Sequence, residues 1–177
     1  MSVIGVEDGS FQKGVTKTAI LAVVLLKEAK IEKVKIKRIA VDGSDATEKL
    51  VEALKELSFS AVFLAGISFA GFNVIDPVVI HETFKKPVIV VSRTRPNNIT
   101  VRRALQRHFD DWKQRWEVFK KIGRVYRILV VAKELPIYVE TVGINIKQAQ
   151  NIVRSLVFCS RVPEPIRVAR LIARGLS

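Results

Sequence analysis

The hydrophobic and polar positions of the first forty residues follow the patterns of β-strands. The apolar stretch that opens Val3–Phe11 is followed by a continuous apolar run within Thr16–Leu26 and by apolar residues alternating with lysines over Lys33–Val41. A continuous run is typical of a strand buried on both faces, whereas alternation indicates one wet face. The chain is therefore predicted to open with three consecutive strands, the third near a sheet edge.

Helical spacing replaces this pattern after the third strand. Asp45 and Glu48 resemble a capping box at the start of a helix, with Asp45 as the N-cap residue. Short buried strands are predicted over Ser60–Gly66 and Pro87–Ser92, with a helix over Asp76–Phe84 between them. A strand, a helix and a strand joined by short connections predict a parallel pair of strands.

The second half of the chain contains long helical patterns. Aromatic residues recur every three or four positions over a predicted long helix, Ile99–Ile122, and we interpret this stripe as core or interface rather than as a platform for stacking bases. Val125–Ala132 and Pro136–Val142 predict a peripheral hairpin, and Ile146–Phe158 and Glu164–Gly175 predict two closing helices.

This order of elements is that of an RNase H-like α/β fold. We expect a mixed sheet of three antiparallel strands followed by parallel strands, with flanking helices. No linker divides the 177 residues, so the prediction is a single domain over residues 1–177. The longest apolar run, Ala19–Leu26, is far shorter than the ~20 residues that span a bilayer, so no membrane-spanning segment is expected.

The charge of the chain indicates the class of partner that it binds. The formal net charge is +13 and the pI is about 10.2, and residues 93–127 contain eleven Lys or Arg against three acids. Such a surface favours polyanions, so the predicted partner is nucleic acid, DNA or RNA, although a solvated lysine-rich face would also raise the charge. The single cysteine, Cys159, cannot form a disulfide within the chain, and we expect a buried thiol and a cytoplasmic protein.

Candidate site residues follow from the ends of the predicted strands. Glu7 and Asp8 end the first strand, and because neighbouring side chains of a strand point to opposite faces, only one of them can face a site beside the sheet. Asp8 could instead form a polar turn with Gly9 and Ser10. Asp42 precedes the helix cap and is free to act elsewhere. We expect Asp8 and Asp42 to converge at the carboxyl ends of neighbouring strands.

Arginines supply the candidate nucleic-acid contacts. Arg93 and Arg95 lie in a loop at the end of a predicted strand, and Arg167, Arg170 and Arg174 form one stripe on the last helix. These residues suit phosphate, although exposed arginines on a terminal helix also serve solubility.

Five motifs in order resemble an uncharacterised archaeal endonuclease V-like family of the RNase H-like superfamily. They cover nearly the whole chain and are GVEDGSF at Gly5–Phe11, VDGSDAT at Val41–Thr47, LAGISFAGFNVID at Leu64–Asp76, VSRTRP at Val91–Pro96 and RVPEPIRVARLIARG at Arg161–Gly175.

The resemblance implies a divalent-metal chemistry with named ligands. Endonuclease V is a metal-dependent enzyme that cuts near deaminated purines, and its first metal-binding aspartate would fall on Asp8 and a second acid in the region of Asp42 to Asp45. The expected ligands of Mg²⁺ or Mn²⁺ are therefore Asp8 and Asp42, with Asp76 or Glu7 as a weaker further ligand. An empty site with no cofactor is the other expectation.

Two departures from the family pattern decide between these expectations. Ala65 stands where the family usually has an aspartate, and Arg170 stands where it usually has histidine or aspartate. In addition, VDGSDAT has no counterpart of the aromatic and proline wedge with which endonuclease V separates the damaged base from the helix. We therefore favour a nucleic-acid-binding protein with little or no nuclease activity. The alternatives are an active Mg²⁺- or Mn²⁺-dependent endonuclease with a rearranged carboxylate set, and a protein-interaction module using the aromatic helix.

Overall fold

A computed structural model describes all 177 residues of the chain as nine strands and six helices. The strands are β1 Ser2–Asp8, β2 Thr18–Lys27, β3 Lys30–Ala40, β4 Ala61–Leu64, β5 Ser68–Phe69, β6 Asn73–Val74, β7 Val88–Ser92, β8 Tyr126–Ile128 and β9 Ile137–Val142. The helices are α1 Ala46–Leu54, α2 Pro77–Phe84, α3 Asn98–His108, α4 Trp112–Lys121, α5 Ile146–Ser155 and α6 Glu164–Gly175.

Seven strands form one mixed sheet in the order β3-β2-β1-β4-β7-β9-β8. β2 is antiparallel to both of its neighbours, β1 and β3, whereas β1, β4 and β7 are parallel. The predicted mixed sheet is therefore confirmed, with β3 at one edge and the β8–β9 hairpin at the other. Because β1, β4 and β7 run in the same direction, their carboxyl ends open at one side of the sheet, where ligands of α/β proteins commonly bind.

Helices cover both faces of the sheet. Ile4 and Val6 of β1 belong to a core formed with α1 and α2, whereas Val3 belongs to a second core formed with α5 and α6. The eight central residues of β2 are all buried, as expected from its continuous apolar run. No helix in the structure has both the length and the apolar character needed to cross a bilayer.

The predicted long helix over Ile99–Ile122 is wrong, because the chain breaks between α3 and α4. Phe109 adopts an extended backbone, with φ −135° and ψ 127°. Its ring then packs edge-on against Phe72 with centroids 5.6 Å apart, and the Arg115 guanidinium lies 4.3 Å from its centroid. Arg115 also donates hydrogen bonds to the carbonyls of Gly43 and Phe72. These contacts, which helical spacing cannot reveal, favour a break at this position.

Two local predictions also need correction. Asp45 occupies the N-cap position of α1, but its side chain makes no capping hydrogen bond. Buried Asn73 does this instead, accepting from the Ala46 amide at 2.9 Å while donating to Asp45 Oδ1 at 2.6 Å and to the Ala40 carbonyl at 2.8 Å. Cys159, expected to be buried, is exposed, because the α5 helix ends at Ser155 and leaves it in a loop.

Candidate active site

The two acids at the end of β1 face opposite sides of the sheet. Gly5 lies so close to α6 that a Cβ atom there would collide with the Pro165 carbonyl, which puts the odd-numbered residues of β1 on the α6 side. Glu7 therefore faces α6, whereas Asp8 faces the opposite layer. The sequence indicates Glu7 only as a weaker further ligand; the close contact that requires Gly5 is the structural reason for its orientation.

A cavity of about 290 Å³ opens beside Glu7 at the carboxyl ends of β1, β4 and β7. Ala65 and Arg170, which the sequence resemblance singled out, both line it. We call this cavity the arginine cleft; its polar and charged lining residues are Glu7, Ser92, Arg93, Thr94, Arg170 and Arg174. Its charged lining residues are therefore one acid and three arginines.

The protonation of Glu7 strengthens the positive character of the arginine cleft. Burial, and secondly the negative charge of Asp8, raise the pKa of Glu7 to about 8, and the positive charge of Arg170 opposes the increase only in part. At neutral pH the carboxyl group is therefore mostly neutral. The arginines consequently dominate the electrostatic potential of the cleft.

The lining of the arginine cleft does not fit a divalent metal ion. Mg²⁺ and Mn²⁺ require several oxygen ligands, but Glu7 is the only carboxyl group in this lining, and Ala65 supplies no ligand atom. Arg170 and Arg174 would repel a cation. No group of three His, Cys, Asp or Glu residues elsewhere in the chain has the arrangement of a metal site.

Asp8 and Asp42 meet at a different place, the turn at Ala70–Phe72. Asp8 Oδ2 accepts a hydrogen bond from the Ala70 amide at 2.5 Å, and the Asp42 amide donates to the Ala70 carbonyl at 2.8 Å. Asp42 Oδ1 accepts from the Phe72 amide at 2.9 Å. Asp42 itself has a left-handed backbone, with φ 56°. Each carboxylate thus holds this turn with one oxygen. The Asp8 carboxylate also interacts with the side chain of Glu7, its neighbour on β1.

The third predicted ligand, Asp76, has structural partners of its own. Its Oδ1 accepts from the Val78 and Val79 amides as the N-cap of α2, at 2.9 and 3.4 Å. Its Oδ2 lies 3.2 Å from Lys121 Nζ. Both oxygens are therefore engaged in holding α2 and α4, which accounts for this buried carboxylate without a metal.

The predicted arginines separate into two groups. Arg93 and Arg170 line the arginine cleft together with Arg174, which follows Arg170 by one helical turn. Arg167 instead forms a two-bond ion pair with Glu164 at 2.7 and 2.6 Å, and this pairing raises the pKa of Arg167. Arg95 is exposed in the loop between β7 and α3.

Comparisons with known proteins agree with this architecture. A family model described as Endonuclease dU matches residues 1–177. A UPF0215 protein of Methanothermobacter thermautotrophicus is 34% identical over 99% of this chain and 87% of its own length.

Solved structures of similar fold were also found. A crystal structure of a protein of unknown function from Archaeoglobus fulgidus has a TM-score of 0.88 and 25% identity, covering 99% of this chain and 97% of that chain. Endonuclease V of Ciona intestinalis, in complex with a 24mer DNA containing an inosine, has a TM-score of 0.67 and 17% identity, covering 99% and 84%. The fold is therefore RNase H-like, as the sequence predicted.

Proposed function

The chain belongs to the Endonuclease dU family, and from this premise we propose that it is an endonuclease V-like nucleic-acid-binding protein with little or no nuclease activity at the arginine cleft. The observation that supports the proposal is the meeting of Ala65 and Arg170 in one cavity with Glu7. With one acid and three arginines in its lining, this cavity suits an anion better than a metal ion.

A backbone phosphate suits the arginine cleft chemically. The planar guanidinium of Arg170 can donate two parallel hydrogen bonds to phosphate oxygens, and Arg174 adds a second charge. Protonated Glu7 carries no charge to repel the phosphate and has an O–H group to donate. Ser92 and Thr94, which also line the cleft, offer hydroxyl donors.

The charge of the whole protein supports binding with little sequence preference. Arginines and lysines that neutralise phosphates release condensed counterions, so affinity falls as salt rises. If about six phosphates are neutralised, log affinity should fall against log salt with a slope of about −5 for duplex DNA.

The test is a titration of labelled DNA and RNA at several salt concentrations with the wild-type protein and Arg170→Met. Loss of one charge-assisted contact should weaken binding roughly tenfold or more and reduce the salt slope by about one. Arg154→Met, which removes an exposed charge on α5, is the matched control and should have a much smaller effect. A salt-independent affinity, or equal effects of the two substitutions, would contradict the proposal.

An active metal-dependent endonuclease is a second candidate because the carboxylates of Asp8 and Asp42 are both held at the Ala70–Phe72 turn. Mg²⁺ is often held by one or two carboxylates with substrate phosphates. Incubation with deoxyuridine-containing, inosine-containing and ordinary strands, with Mg²⁺ or Mn²⁺, distinguishes the two candidates. Robust cleavage that is lost in Asp8→Asn would favour the endonuclease, whereas intact strands under conditions of saturated binding favour the binding protein.

A further inference from the structure

The two tryptophans of α4 belong to the surface of the protein rather than to its core. The structure buries none of the residues of α4 and only Leu105 of α3. Trp112 and Trp116 are half-buried, so each indole ring retains contact with solvent. The interpretation of this stripe as core or interface holds for buried Leu105 and for Phe119, which packs against the core. After the break at Phe109, Trp112 and Trp116 lie at the surface instead.

Trp116 lies at the centre of this surface. Its ring stacks on Phe119 with an angle of 18° between planes and 5.8 Å between centroids. The Arg102 guanidinium lies 5.9 Å from the Trp116 centroid. Two depressions of about 370 and 320 Å³ both have Arg102 and Trp116 in their walls. A flat aromatic ring next to a cationic group is the arrangement with which proteins stack single-stranded bases.

Shared wall residues connect this surface to the arginine cleft. A smaller depression of about 160 Å³ shares Gly66 and Ser92 with the arginine cleft and shares Asn98 with the larger Trp116 depression. The four depressions therefore follow one another from Arg170, past the carboxyl end of β7, to Trp116. We call this series the groove.

The charges along the Trp116 end of the groove are mostly positive. Arg102, Arg103 and Lys113 are exposed and have no acidic partner within salt-bridge distance, whereas the one acid in these walls, Glu117, is paired with Lys120 at 2.6 Å. The surface therefore combines cations with an aromatic ring, which fits a polyanion that carries flat bases better than an apolar protein helix.

We propose that the groove holds a single strand of nucleic acid, with phosphates at the arginine cleft and one base stacked on Trp116. This inference rests on the proposed function, because the strand enters the groove at the arginine cleft. A stacked base would displace Arg102 from the ring and leave its charge free for the adjoining phosphate. A duplex would hide its bases from Trp116, so the groove should prefer a single strand.

Binding of a labelled dT 15-mer, its duplex and a dT trinucleotide tests this proposal. Trp116→Leu should weaken the 15-mer by roughly 5- to 100-fold, the loss expected for one base stack, while Trp116→Phe should keep most of the affinity. Phe158→Leu removes an aromatic residue that is 55% exposed and outside the groove, so it is the matched control. The chain contains two tryptophans, so Trp112→Phe leaves Trp116 as the only indole, and the 15-mer should quench its fluorescence.

The outcomes separate this inference from the proposed function. If the wild type binds no strand at all, both fail. If Arg170→Met weakens the 15-mer and the trinucleotide but Trp116→Leu changes neither, the proposed function stands and the groove is refuted. Base stacking would also be refuted if Trp116→Leu lowered the affinity for single strand and duplex equally. It would be refuted as well if light scattering showed that Trp116→Leu changes the oligomeric state, because the surface would then be a protein contact. A thermal melt like that of the wild type confirms that each variant is folded.

Discussion

Replacing Glu7 with glutamine should change how the stability of the protein depends on pH. Burial and Asp8 raise the pKa of Glu7 from 4.5 to about 8. At pH values between 4.5 and 8, the folded chain therefore keeps a proton that the unfolded chain has lost. Where the folded state binds more protons, the free energy of unfolding decreases as pH rises. The stability of the wild type should therefore fall through this window, whereas Glu7→Gln removes the titrating group.

The size of the effect follows from the two pKa values. Each pKa unit corresponds to about 1.4 kcal/mol, so the full cost of ionising Glu7 in the fold is at most roughly 5 kcal/mol. Between pH 6 and pH 9 the unfolded carboxyl is already ionised, and the folded one loses its proton. Between pH 6 and pH 9 the free energy of unfolding of the wild type should therefore fall by about 2 to 3 kcal/mol relative to that of Glu7→Gln.

Urea unfolding of both proteins at pH 6, 7.5 and 9 measures this difference directly. Glu32→Gln, which changes an exposed carboxyl on the edge strand β3, is the control and should follow the wild type at each pH. The same Glu7 carboxyl should control ligand binding: phosphate or oligonucleotide affinity should fall above about pH 8 in the wild type and stay level in Glu7→Gln. Stability curves of wild type and Glu7→Gln that remain parallel from pH 6 to pH 9 would refute the reasoning.

Two further changes test other parts of the structure. Asn73→Ala should lower the free energy of unfolding by roughly 1 to 3 kcal/mol, because it leaves the buried Ala46 amide without an acceptor, whereas the Ala40 carbonyl still accepts from the Gly43 amide. Chemical denaturation measures this, and a loss below about 0.5 kcal/mol would contradict the assigned role. Ala65→Asp combined with Arg170→His should raise Mn²⁺ affinity by more than the two single substitutions together. In Ala65→Asp alone, the new carboxylate would pair with Arg170, which lines the same cavity, instead of binding the metal. Calorimetric titration of the four proteins in this cycle decides the question, and additive effects would show that the two positions act independently.

Local sequence patterns determined the layers of the fold. The continuous apolar run of β2 requires burial on both faces, and the lysines of β3 require a strand with solvent access; both follow from the period-two geometry of strands. The placement of acids after apolar strands also predicted that Asp8 and Asp42 converge at the ends of neighbouring strands. Both do contact the Ala70–Phe72 turn, but the strands that they follow, β1 and β3, are separated by β2. The bounds of α2 and α6 follow from helical spacing and from Pro77 and Pro165 near their starts.

Only the tertiary structure decided which side chains share a site. Glu7 and Asp8 are neighbours in sequence, and the sequence could not say which of them faces α6; the close approach of Gly5 to Pro165 decides this. The break at Phe109 likewise depends on Phe72, which is distant along the chain. Helical periodicity records only contacts within one segment, so it could not distinguish an aromatic stripe in the core from one exposed beside a basic groove.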